Sequence, residues 1–200
     1  MVIGGLAVIA RGVRRMTTDV DAVVRGDAIK LETLIAKLAA ARIVARIDDA
    51  EAFARENLVL LLRHAPSGVD LDVSLGWTRF EHDAIEASRE VAFGAVRAPM
   101  AQAEDLVIFK AVAARPKDIE DATSLIVMHR DIDLSKVRKR VGELAALAEE
   151  PSLVAGLEAI IRSARPVRAR PKKPAIGPAK PPAARPAKTP RKRRGRPTKR

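Results

Sequence analysis

Hydrophobic and polar positions along the 200-residue chain change period several times, and each change predicts an element. Val2-Ile3 is too short for more than a strand stub, and Gly4-Gly5 reads as a turn. "LAVIARG" reads as a short helix that ends at Gly12. "TTDVDAVV" alternates and then becomes wholly apolar, as a strand does when it enters a buried sheet. In "DAIKLETLIAKLAAAR" the apolar side chains fall at 29, 31, 34, 35 and 38, one face of a helix. "IVARI" predicts a short strand and "DAEAFAREN" a turn or two of helix. "LVLLLRH" and "VDLDVSLG" read as two strands joined through Ala65-Pro66-Ser67-Gly68. "FEHDAIEASR" is helical, and "REVAFGAVRAP" is strand-like with Gly94 turning it. From Gln102 the pattern is helical throughout: about 102–114, 116–129, 134–149 and 151–164, with breaks at Pro116, Asp131–Asp133 and Pro151. A strand-bearing half followed by an all-helical half predicts an α+β fold.

Composition then divides the chain. Residues 165–200 hold 15 Lys or Arg, no Asp or Glu, and Pro at roughly every fourth position. The remainder has 22 basic and 25 acidic residues, so the net charge of +12 belongs to the tail and says nothing about the domain before it. Such a tail cannot build a core and is expected to be disordered. The expected organisation is therefore an α+β domain over residues 1–100, a helical domain over 101–164 and the basic tail over 165–200. With no cysteine there is neither a disulfide framework nor a thiolate metal site. The apolar runs are too short for a membrane span, no membrane partner is expected, and the start has no signal-peptide pattern, which makes a cytoplasmic protein the default expectation.

The chemistry-bearing residues are carboxylates. Asp19 and Asp21 lie at alternate positions of the second strand, so both point to one face, where they could act as hard oxygen ligands for Mg²⁺. The spacing alone proves little: Asp-x-Asp recurs at 70/72 and at 131/133, and the last pair is better explained as a helix N-cap. The setting of the first pair is more telling. Gly4-Gly5 permits close backbone approach to a phosphate, and "GVDLDVSLG" supplies a further strand-borne carboxylate. A glycine turn, Asp-x-Asp and a later strand Asp are the minimum for holding metal ions and a triphosphate for phosphoryl transfer.

The stretches "IGGLAV", "RMTTDVD", "GVDLDVSLG" and "AEDLVIFKAVAARPKDIEDATSL", spanning about residues 2–128, resemble the nucleotidyltransferase superfamily typified by DNA polymerase β. More narrowly they are similar to the small bacterial nucleotidyltransferases related to AbiE-type toxins of toxin–antitoxin systems. The resemblance implies a mixed sheet with helices, followed by a helical bundle. It also implies that Asp19 and Asp21 bind metal, that a strand Asp joins them and serves as base, and that Gly4 and Gly5 cradle phosphates. Asp72 is favoured for the strand Asp because it precedes "VSLG", with Asp70 the alternate. Lys110 is expected to reach a phosphate or to balance the acidic cluster, and Arg15 and Thr17 to orient the acidic strand or touch a phosphate. Only Met1–Ile3 precede the glycines, where that superfamily usually has a helix and a longer strand, so either the chain start is misassigned or truncated or the first strand is a stub.

Other residues carry blander expectations. Asp118 and Asp121 read as capping and salt-bridging residues of a helix opened by Pro116. His64, His82 and His129 have no ligand spacing. Trp77 and Phe80 are expected to pack a helix onto the sheet. In the tail, Arg194-Gly195-Arg196-Pro197 is similar to the AT-hook core that lies in an A·T minor groove; a generic polybasic attraction to nucleic acid is the plainer reading. Two functions follow as expectations. One is a metal-dependent transferase that moves a nucleoside monophosphate from a triphosphate to a hydroxyl acceptor, with an antitoxin as a possible partner. The other is a non-catalytic nucleic-acid-binding protein acting through its tail.

Overall fold

A computed structural model describes residues 1–164; the basic tail, with its AT-hook-like Arg194–Pro197, lies outside the described residues. Seven strands, β1 (Val2–Ile3), β2 (Asp19–Arg25), β3 (Ile43–Ala45), β4 (Val59–His64), β5 (Asp70–Gly76), β6 (Arg89–Phe93) and β7 (Val96–Met100), form one sheet in the order β3-β4-β5-β2-β1-β7-β6. The sheet is mixed: β2 runs parallel to β5 and β1 parallel to β7, whereas the other four neighbouring pairs are antiparallel. Eight α-helices complete the described residues: α1 (Gly4–Ala10), α2 (Leu31–Ala40), α3 (Ala50–Asn57), α4 (Arg79–Ala87), α5 (Ala103–Ala113), α6 (Pro116–Met128), α7 (Leu134–Leu147) and α8 (Ser152–Ala164). The expected combination of a mixed sheet with helices and a following helical bundle is what the chain adopts.

Two apolar cores cover different parts of this sheet. Leu31, Leu34, Ile35 and Leu38 of α2 and Ala54 of α3 close over Leu60, Leu62, Val73 and Leu75. The larger core joins Ala7 and Val8 of α1 and Phe80 and Ala84 of α4 to Leu106, Val107, Ile108, Leu125, Val137, Val141, Leu157 and Ile161 of the four C-terminal helices. Burying side chains of this size contributes about 1.5–3 kcal/mol each. This core runs across residue 100, so strands and bundle share one apolar interior.

Local signals place the elements. Thr78 caps α4 with a capping box: its hydroxyl accepts from the Glu81 amide at 3.1 Å while the Glu81 carboxylate accepts from the Thr78 amide at 2.9 Å. Asp133 caps α7 through the Ser135 and Lys136 amides, the role its Asp-x-Asp pair suggested. Pro116 occupies the first turn of α6, where its missing N–H costs nothing. Gly94, with φ +59°, turns β6 into β7.

Two expectations are corrected. Gly4 and Gly5 are not a separate turn but the first residues of α1, with Gly4 at φ +62°, so strand passes into helix without a loop. Phe80 packs its helix as expected, meeting Phe109 with ring centroids 4.9 Å apart, but Trp77 is 59% exposed, because it follows β5 before Thr78 starts α4 and so belongs to neither packed face.

Candidate active site

The parallel pairing of β2 with β5 sets Asp19 against Asp70 and Asp21 against Asp72. Cross-strand partners share a sheet face, so both Asp-x-Asp pairs project together. Hydrophobic alternation on the two strands favours this: Ala22, Val24, Leu71, Val73 and Leu75 take the opposite face and pack beneath α2 and α3. A shift of one residue in register would bury the carboxylates and expose that apolar row.

Crowding of like charge marks the centre of the site. Burial pushes the Asp21 carboxyl above the usual range, and the neighbouring carboxylates of Asp19 and Asp72 add to the effect. The nearby Gly5 amide works the other way, as does the charge of Lys110. A Cβ at Gly4 would stand 1.8 Å from Asp21 Oδ2, so glycine is required there by space as well as by φ. At Gly5 a Cβ would meet Thr17 Oγ1 at 2.6 Å and the Arg15 guanidinium at 3.1 Å. The glycine pair, Arg15, Thr17 and Asp21 are thus nested together. Thr17 Oγ1 donates to Asp19 Oδ1 at 2.6 Å, and this bond holds the Asp19 carboxyl below the usual range.

A cationic group from the helical half faces the acidic strands. Lys110 on α5 is only 6% exposed, so it is not a surface lysine. Its ammonium lies 2.7 Å from Asp118 Oδ1 and 3.1 Å from Asp121 Oδ2, both on α6. Arg15 pairs with Asp121 from the other side. Burial alone would raise the Asp118 carboxyl, but the hydrogen bonds from Arg115 (2.5 Å) and Lys110 outweigh it and hold it low. Asp118 and Asp121 therefore do form salt bridges, as expected, but inward, tying α6 to α5 and to the Arg15 segment, and neither caps the helix. The field of Lys110 reaches Asp21, that of Lys117 reaches Asp19, and Arg115 feels both aspartates.

The structure thus gathers Asp19, Asp21, Asp70, Asp72, Gly4, Gly5, Arg15, Thr17 and Lys110 around one patch. It also adds residues that the sequence did not single out. Arg46 bonds both Asp70, at 3.1 Å, and Asp72, and Arg63 bonds Asp70 at 2.6 Å. Arg115 and Lys117 flank Pro116 inside a quoted motif and were open to notice; Arg46, in the plain stretch "IVARI", carried no signal. The three histidines serve local structure: His64 meets Ser67, His82 the Gly76 carbonyl and His129 the Arg11 carbonyl. Among the described residues, no three Asp, Glu, His or Cys side chains stand together so as to hold a metal ion, and no helix is long and apolar enough to cross a membrane. A groove of about 420 Å³ lined by Gly26, Lys30, Leu31, Glu32, Arg55 and Leu75 lies at the opposite ends of β2 and β5 from the carboxylates.

Paired strand carboxylates, a glycine pair abutting one of them and a buried lysine on a helix thus lie around β2 and β5. The chain belongs to the family described as "Nucleotidyltransferase of unknown function (DUF6036)", whose model matches residues 1–157. No curated protein matches the chain.

Proposed function

We propose that this protein is a divalent-cation-dependent transferase that moves a nucleoside monophosphate from a nucleoside triphosphate to a hydroxyl acceptor. The observation that carries the reading is the register of β2 against β5, which lays Asp19 and Asp21 beside Asp70 and Asp72 next to Gly4. The donor set is all carboxylate oxygen, which suits a hard cation. Asp19, Asp21 and Asp72 would hold the ion, with Mg²⁺ the expected one. Bound there, it would neutralise phosphate charge and make the acceptor hydroxyl easier to ionise.

The chain's own groups supply the rest. The backbone at Gly4 and Gly5 gives close, side-chain-free access for phosphate oxygens. Arg15, Arg115 and Lys117 place positive charge around the acidic strands, with the buried Lys110 acting on Asp21 through its field, suited to the charge of a triphosphate and of departing pyrophosphate. Thr17 fixes the Asp19 rotamer. In the transfer step the acceptor oxygen bonds to the α-phosphorus. The bond from that phosphorus to the oxygen bridging to the β-phosphate breaks, and pyrophosphate leaves with the electron pair. Asp72 takes the hydroxyl proton.

The finer reading, a toxin-like enzyme restrained by an antitoxin, rests on the motif likeness to AbiE-type proteins. The strongly basic residues 165–200 favour an acceptor on or near nucleic acid. The test is incubation of the full chain with Mg²⁺ and each of the four α-labelled triphosphates, with cellular RNA and protein offered as acceptors. Label transfer is expected, falling by about 10³-fold or more in Asp19→Asn and Asp21→Asn, since the positioning of reacting groups is lost. Absence of transfer, together with salt-sensitive nucleic-acid binding unaffected by either substitution, would establish the non-catalytic binding protein instead.

A further inference from the structure

We infer that Arg46 is a built-in counter-ion for the third carboxylate, holding Asp72 toward β3 and yielding it when a divalent cation enters beside Asp21. The inference rests on the transferase reading of this site and adds a positioning residue to it.

The backbone sets the geometry. Just past β3, the Arg46 amide donates to the Leu61 carbonyl at 3.0 Å, extending the β3–β4 ladder by one residue. Leu61 is the cross-strand partner of Asp72, so Arg46, Leu61, Asp72 and Asp21 lie in one row across the sheet. The guanidinium reaches past Leu61 and binds two carboxylates at once: Nη1 to Asp70 Oδ2 at 3.1 Å and Nη2 to Asp72 Oδ1. Asp70 is held twice, because Arg63, its own cross-strand partner, donates to Oδ1 at 2.6 Å and to Oδ2 at 3.3 Å.

Charge is therefore distributed unevenly over the four aspartates. Asp70 has two arginines, Asp72 shares one of them, and Asp21 has no ion pair among the described residues. Both Asp70 oxygens are engaged, by two arginines, whereas Asp72 is held by one nitrogen of Arg46 alone, which favours Asp72, the residue across from Asp21, as the third carboxylate. The same pairing also accounts for the lack, among the described residues, of any three acidic or histidine side chains gathered to hold an ion: the third is turned to Arg46. Arg46 need not travel when it releases Asp72, since its other nitrogen remains on Asp70. A planar, forked guanidinium can make this exchange; a point charge holds only one carboxylate well.

The test measures Mn²⁺ binding to the full-length protein without nucleotide, following free Mn²⁺ by electron paramagnetic resonance and folding by circular dichroism. Arg46→Gln is expected to lower the Mn²⁺ Kd about fivefold, the scale of one partly exposed ion pair. Arg63→Gln should leave it unchanged, and Arg46→Gln combined with Asp72→Asn should lose the gain. If Arg46→Gln fails to fold, Arg46→Lys, which keeps the charge without the fork, is expected to tighten binding about twofold. An unchanged or weaker Kd in the Arg46 variants overturns the inference, as does a gain that survives Asp72→Asn or appears equally in Arg63→Gln. If nucleotidyl transfer by the wild type is lost in Asp19→Asn while the Arg46 variants behave as wild type towards Mn²⁺, the inference alone fails. If Asp19→Asn alters neither transfer nor Mn²⁺ binding, the transferase reading itself fails.

Discussion

At the scale of single residues, two positions carry more than their side chains suggest. Gly4 combines φ +62° with a Cβ direction that ends 1.8 Å from Asp21 Oδ2, so alanine there is strained in its backbone and displaces the carboxylate. Gly4→Ala is expected to cost about 1–2 kcal/mol in chemical unfolding. If the chain carries out the proposed nucleotidyl transfer, that activity should fall far more than stability, by about 100-fold, because the displaced carboxylate is one of the groups proposed to hold the ion. Asp105 is a different case. It is 4% exposed, and its Oδ2 has no hydrogen-bond partner. Burial raises its carboxyl, so the folded chain holds that proton more tightly than the unfolded chain does. The sign follows: the contribution of this group to stability is fully present at low pH and is lost as pH rises from the ordinary carboxylate range through the raised folded value. Asp105→Asn should raise stability at pH 7 by about 1 kcal/mol and flatten the pH dependence above the carboxylate range, as thermal melts at several pH values will show. Equal melting of variant and wild type at pH 7 would mean that the buried charge is not a liability.

At the scale of elements, α5 and α6 are joined to the acidic strands through charge as well as apolar packing. Asp118 is wholly buried, Asp121 and Lys110 nearly so, and Arg15 and Arg115 complete the group from outside. Breaking one member of a buried network leaves uncompensated charge, which costs more than the pair contributes. Lys110→Met is therefore expected to lower unfolding stability by about 3 kcal/mol. Asp118→Asn in that background should recover part of the loss, and a double-mutant cycle in urea measures the coupling. The sequence disclosed the helical half through its apolar runs, Pro116 at the start of α6 and the Asp133 cap of α7. It did not disclose which face of α5 turns inward, because Ala103–Ala113 is apolar nearly all round and its one lysine reads equally well as solvated or buried.

At the scale of the whole molecule, charge is partitioned along the chain: residues 165–200 carry +15 and the rest a net of −3. Nucleic-acid affinity placed in that segment must depend steeply on salt, since each phosphate neutralised releases counterions. A chain ending at residue 164 is expected to bind duplex DNA at least about tenfold more weakly in low salt, with a shallower slope of log affinity against log salt concentration; filter binding over a salt series measures both. An unchanged slope would locate the affinity in the folded part.

The amino-acid sequence by itself determined the alternation that makes β2 and β5, the helical spacing of the second half, the two Asp-x-Asp pairs and the glycines before them, because each is a short-range pattern of period or composition. Tertiary structure alone decided that β2 and β5 are parallel neighbours in the register that unites four aspartates, that Lys110 is buried between Asp118 and Asp121, and that Arg46 arrives at Asp72 from 26 residues away. The physical reason is that strand order, register and ion pairing are set by closing long loops around shared apolar cores, and no local period encodes which distant carboxylate an arginine will meet.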